Sequence, residues 1–70
     1  MSTGILVLTN KALANAIKIE SLLEDTTIYA PSKLKADSEF KVDFYDEKFS
    51  YIVDKAYKLH SKLIFIMATG

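Results

Sequence analysis

Three short polar turns hold the residues of this 70-residue chain that are equipped for chemistry: Thr9-Asn10, Ser32-Lys33 after Pro31, and Thr69-Gly70 after Ala68. Each follows an apolar stretch that reads as a strand, and ligands of open α/β sheets gather at the carboxyl ends of strands. Thr9, Asn10, Ser32, Lys33, Thr69 and Gly70 are therefore the candidate substrate-binding residues. The hydroxyls and the Asn10 amide offer hydrogen bonds, Lys33 offers a cation for an acidic ligand, and Gly70 permits close backbone approach. The same residues also suit ordinary turns and helix caps. No catalytic residue is assigned.

The other reactive side chains point to structural roles. His60 is the only histidine and sits near the end of a helical pattern, with no cysteine or carboxylate at metal-ligand spacing, so a helix-end role is expected and no metal site. Asp43, Asp46 and Glu47 cluster where a turn enters a helix, which favours capping over paired-carboxylate catalysis. The four tyrosines and four phenylalanines fall largely at positions that face a core. Gly4 and Gly70 are the only glycines, too few for a glycine-rich phosphate loop, and no cofactor is expected.

The elements that must position these turns are legible as period changes. Residues 5–8 (ILVL) form a continuous apolar run, read as a central strand buried on both faces. From Lys11 the period becomes helical: Leu13, Ala16, Ile17 and Leu23 share a stripe widened by Ala12, Ile19 and Leu22, giving a helix over 11–23 with Asn10 as N-cap. Residues 27–30 are a second strand ended by Pro31. Residues 33–40 read as a loop with room for a helical turn, and 41–45 alternate as an edge strand.

The strongest periodicity follows. Phe49, Ile52, Val53 and Ala56 recur at i, i+3, i+4 and i+7, predicting an amphipathic helix over 47–60 with Asp46 as N-cap and Lys58 near its negative end. Residues 63–67 (LIFIM) close the pattern as a strand buried on both sides. The fold class is thus α/β: a small open, mostly parallel sheet of three or four strands with two helices, β-α-β-(β)-α-β. Two helices are too few to cover both faces of such a sheet, so the domain reads as incomplete, or as one that associates with itself.

Composition narrows the function classes. Nine Lys+Arg balance nine Asp+Glu, interspersed along the chain, which disfavours nucleic acid as a partner. The chain has no cysteine, which suits a reducing, cytoplasmic setting. Its N-terminus shows neither a basic region with a long apolar run nor a membrane-spanning stretch, so no membrane partner is expected.

Three strings resemble the N-terminal region of the CbiG family, the cobalt-precorrin-5A hydrolases of anaerobic cobalamin biosynthesis. They are Gly4-Ile5-Leu6-Val7-Leu8-Thr9 leading into an alanine- and leucine-rich helix, Tyr29-Ala30-Pro31-Ser32-Lys33, and, most specific, Phe65-Ile66-Met67-Ala68-Thr69-Gly70, similar to the family's "FIMATG" segment. The resemblance spans nearly all of the chain and implies that residues 1–70 are the N-terminal part of a CbiG-type N-terminal domain. Family members continue past this glycine through an isoleucine-valine-arginine stretch into further domains. The implied reaction opens the ring-A δ-lactone of an anionic cobalt-precorrin with release of acetaldehyde, cobalt arriving inside the substrate. Tyr29, Pro31, Lys33, Thr69 and Gly70 match family positions without an assigned role. The chain alone is expected to be inactive. The competing expectation is a stand-alone α/β interaction module that completes its sheet with a partner protein or with itself, a homo-oligomer.

Overall fold

The computed structural model describes residues 2–34 and 42–67. Four strands, β1 (Thr3–Leu6), β2 (Thr26–Pro31), β3 (Val42–Tyr45) and β4 (Lys62–Phe65), alternate with α1 (Asn10–Glu20) after β1 and α2 (Phe49–Leu59) after β3. A 3-10 turn, Ser32–Leu34, follows β2. The strands form one sheet in the order β3-β2-β1-β4, every pair parallel. The α/β class and the six-element order expected from the periodicities are those observed.

Right-handed crossovers dictate where the helices lie. The chain steps one way from β1 to β2, then returns past β1 to reach β4, so the two helices must fall on opposite faces. Accordingly, Ala12, Leu13 and Ala16 of α1 pack with Ile5, Val7, Ile28 and Ala30 on one face. On the other, Ile52 and Ala56 of α2 pack with Leu6, Tyr29 and Tyr45. β1 is buried on both sides as expected: Ile5 and Val7 are fully enclosed and Leu6 is 1 % exposed.

Several boundaries differ from expectation, each for a non-local reason. The cap of α1 is Thr9, not Asn10: its side chain accepts the Ala12 N–H at 3.1 Å, and Asn10 is the first helical residue. The helix stops at Glu20 rather than 23, so Leu22 and Leu23 lie exposed instead of joining the stripe. Asp25 takes a left-handed conformation (φ 51°) to turn the chain into β2, and its carbonyl accepts the Thr3 N–H at 3.0 Å. A longer α1 would overrun that junction. α2 begins at Phe49 with Lys48 at the cap position and no side-chain cap; Asp46 stands two residues before that position, where it accepts from Ser32 Oγ at the end of the neighbouring strand. Residues 63–67 are not buried on both sides: β4 is an edge strand whose Leu63 packs with the α2 cluster and whose Ile64 and the following Ile66 pack with the α1 cluster, each only partly buried. Phe65, edge-on to Phe49 of α2, and Met67 are exposed. The expected edge strand over 41–45 is β3, the opposite edge. Of the loop expected over 33–40, residues 35–40 lie outside the described residues.

Candidate functional site

Parallel strands put all their carboxyl ends on one side, and here that side gathers two of the three predicted turns. A cleft of about 310 Å³ opens between the ends of β2 and β3 and the start of α2, lined by Leu8, Pro31, Ser32, Lys33, Tyr45, Asp46, Glu47 and Phe49. Ser32 and Lys33 are thus brought together as expected. Ser32 Oγ donates a short hydrogen bond to Asp46 Oδ1. Lys33 is exposed at the rim.

Thr9 and Asn10 sit on the same side of the sheet but do not line this cleft. Thr9 spends its side-chain oxygen on the α1 cap. Thr69 and Gly70 lie outside the described residues. The strand order reverses direction beside β1, so the point where ligands of doubly wound sheets settle lies between the Leu8-Thr9-Asn10 turn and the chain leaving β4.

Six lining residues, Leu8, Pro31, Tyr45, Asp46, Glu47 and Phe49, are not among the expected substrate-binding residues. The β3–α2 turn brings the acidic pair into the cleft that Lys33 also lines. Tyr45 is 7 % exposed, and its hydroxyl is buried with no hydrogen-bond partner among the described residues. Burial pushes its ionisation above the ordinary value of 10.0. With Lys33, Asp46 and Glu47 all lining it, the cleft carries no excess of positive charge.

A second depression, about 550 Å³, lies on the outer side of α2 among Glu47, Lys48, Ser50, Tyr51 and Asp54. It contains none of the expected substrate-binding residues, which leaves the cleft at the strand ends, with Ser32 and Lys33, as the candidate site.

His60 has the structural role expected of it, and more. It caps the C-terminal end of α2, its N–H donating to the Ala56 carbonyl. Its ring joins three segments through a hydrogen-bond chain whose direction follows from proton bookkeeping. Ser2 has one hydroxyl proton, which goes to the Leu59 carbonyl at 3.2 Å. Ser2 Oγ is therefore the acceptor for His60 Nδ1–H at 3.0 Å. Nε2 is left as an acceptor, and the Tyr29 hydroxyl donates to it at 2.5 Å. This polarity is the reverse of what a nucleophilic serine beside a general base requires, so Ser2-His60-Tyr29 is a clasp between the N-terminus, β2 and the end of α2.

Tyr29 is held protonated for a second reason. Burial raises its ionisation, and the Asp43 carboxylate, its partner across the β2–β3 register, raises it further. Gly4 makes room for the clasp: a Cβ there would stand 2.9 Å from His60 Cδ2 and 3.1 Å from Leu63 Cδ2.

Among the described residues no group of three or more His, Cys, Asp or Glu side chains is placed to hold a metal ion. None of the described helices is long and apolar enough to cross a membrane. The aromatic residues divide: Tyr29 and Tyr45 are core, whereas Tyr51 and Tyr57 are exposed. Compared with protein-family models, curated proteins and solved structures, the chain matches none of them.

Proposed function

We propose that this chain is the N-terminal part of a cobalt-precorrin-5A hydrolase of the CbiG type, contributing one wall of the site that binds the anionic tetrapyrrole. The observation that carries the reading is the string Phe65-Ile66-Met67-Ala68-Thr69-Gly70, whose first residue ends β4 beside β1; ligands of doubly wound sheets bind at the carboxyl ends of such strands. The second string, Tyr29-Ala30-Pro31-Ser32-Lys33, ends in the cleft at the same side of the sheet.

The chain's own share of the chemistry is binding. Lys33 offers a charge-assisted hydrogen bond to a substrate carboxylate. Yet the cleft of about 310 Å³ is at the small end of ligand sites, and Asp46 and Glu47 offset its one cation. A large polycarboxylate therefore needs further cations and further wall, supplied by other parts of the protein, and these residues alone are expected to be inactive.

Acetaldehyde release from cobalt-precorrin-5A tests the proposal. The chain alone is expected to give none, and adding a CbiG-type protein lacking its own matching N-terminal region is expected to restore it. Turnover by the chain alone would overturn the view that it needs the remainder. Silence in the mixture, with both proteins folded, would overturn the family reading.

A further inference from the structure

The two edges of the sheet are unlike. β3 carries the exposed Asp43 within its short span, a charge that discourages another strand from pairing. β4 has its only charge at its first residue, Lys62, and the chain then runs Leu63-Ile64-Phe65-Ile66-Met67 without a polar side chain. Phe65 is 42 % exposed and Met67 78 %.

Backbone direction shows what this edge presents. The Lys62 N–H donates to the Ser2 carbonyl at 3.3 Å and the Ile66 N–H to the Leu6 carbonyl at 3.1 Å, so the even-numbered residues face β1. Alternation along the strand turns the N–H and C=O groups of Leu63 and Phe65 to the open side.

We propose that a second copy of this chain pairs with this edge, the two β4 strands running antiparallel across a two-fold axis at Phe65. A two-fold axis normal to the sheet forces identical edge strands to be antiparallel and keeps each side chain on its own face. In this register Phe65 lies against the partner's Phe65, Ile64 against the partner's Ile66, and Leu63 against the partner's Met67. Every member of the apolar run meets another member of it. The Phe65 pair exchanges reciprocal N–H···O=C bonds using the groups that point outward. Centring the axis on Ile64 instead would set the Lys62 ammonium against the partner's Ile66. The pairing doubles the four-stranded sheet and removes its unprotected edge. The pairing uses neither substrate nor cleft, and it is tested on this chain by itself.

The absence of cysteine makes the test clean. Opposed residues of a hydrogen-bonded antiparallel pair lie about 5.5 Å apart at Cα, within the span of a disulfide. Phe65→Cys is expected to give a disulfide-linked dimer on mild oxidation, and Asp43→Cys on the other edge to stay monomeric. Sedimentation velocity of the unaltered chain is expected to show a concentration-dependent dimer. Phe65→Pro is expected to abolish it, since proline there removes only an outward N–H and leaves the β1 ladder intact. Phe65→Lys, judged by the same measurement, serves if the proline variant does not fold. A folded monomer throughout the concentration series would overturn the proposal. So would cross-linking of Phe65→Cys to Asp43→Cys in a mixture, the mark of head-to-tail stacking.

Discussion

Tyr45 keeps a buried hydroxyl with no hydrogen-bond partner among the described residues. A buried polar group without a partner costs about 1–3 kcal/mol, so Tyr45→Phe, which keeps the ring and drops the oxygen, is expected to raise unfolding stability by an amount of that order. Urea denaturation measures it, and a loss of stability would mean that the hydroxyl has a partner after all. Tyr45 and Tyr29 also set an alkaline limit. Both ionise above 10.0 in the fold and at about 10 in the unfolded chain. Their protonated forms therefore support folding fully below pH about 10, and that support is lost as pH rises through 10 toward the raised values. Tyr45→Phe is expected to flatten the fall of stability above pH 10, read from denaturation midpoints at successive pH.

At the scale of elements, α2 is held by a narrow stripe: Ile52 is 1 % exposed and Ala56 fully buried, while Tyr51 is 62 % exposed. Ile52→Ala is expected to cost about 2–5 kcal/mol, a large share of what so small a domain has. Tyr51→Ala one residue away is expected to stay within about 0.5 kcal/mol. Thermal denaturation of the pair checks the contrast, and equal losses would mean that the helix is docked by another face. Elements whose apolar spacing matched their burial, such as Phe49-Ile52-Val53-Ala56 and residues 5–7, were legible in the sequence because periodicity reports burial directly, whereas Leu8, expected in the same buried run, is 41 % exposed. Features set by distant partners were not. Asp46 has the sequence position of a helix cap, yet Ser32, fourteen residues earlier, engages it. Leu22 and Leu23 continue the α1 stripe in spacing, but the turn at Asp25 ends the helix before them. Residues 63–67 look like a central strand because hydropathy does not distinguish a buried interior from an edge. Of the candidate site, Ser32 and Lys33 were foreseeable from turn chemistry, whereas Tyr45, Asp46 and Glu47 join them only through the β3–α2 turn.

For the molecule as a whole, the decisive fact is that β1 lies between β2 and β4. The first strand made is thus completed by the last, across nearly the full chain: Ser2 O accepts from Lys62 N–H, and Leu6 O from Ile66 N–H. A chain ending at Leu59 would leave β1, apolar on both faces, as an open edge and would cut the His60 clasp. Such a truncation is expected to lose the cooperative fold and sediment as aggregate, seen by circular dichroism and light scattering. A soluble, folded product would show that β1, β2 and β3 with both helices stand without β4. On the ribosome the same arrangement imposes an order of events: the opening segment must wait, unpaired along one edge, until residues 62–66 have emerged. Non-local parallel pairing of this kind closes slowly, and the waiting strand is the stretch most in need of shelter during synthesis.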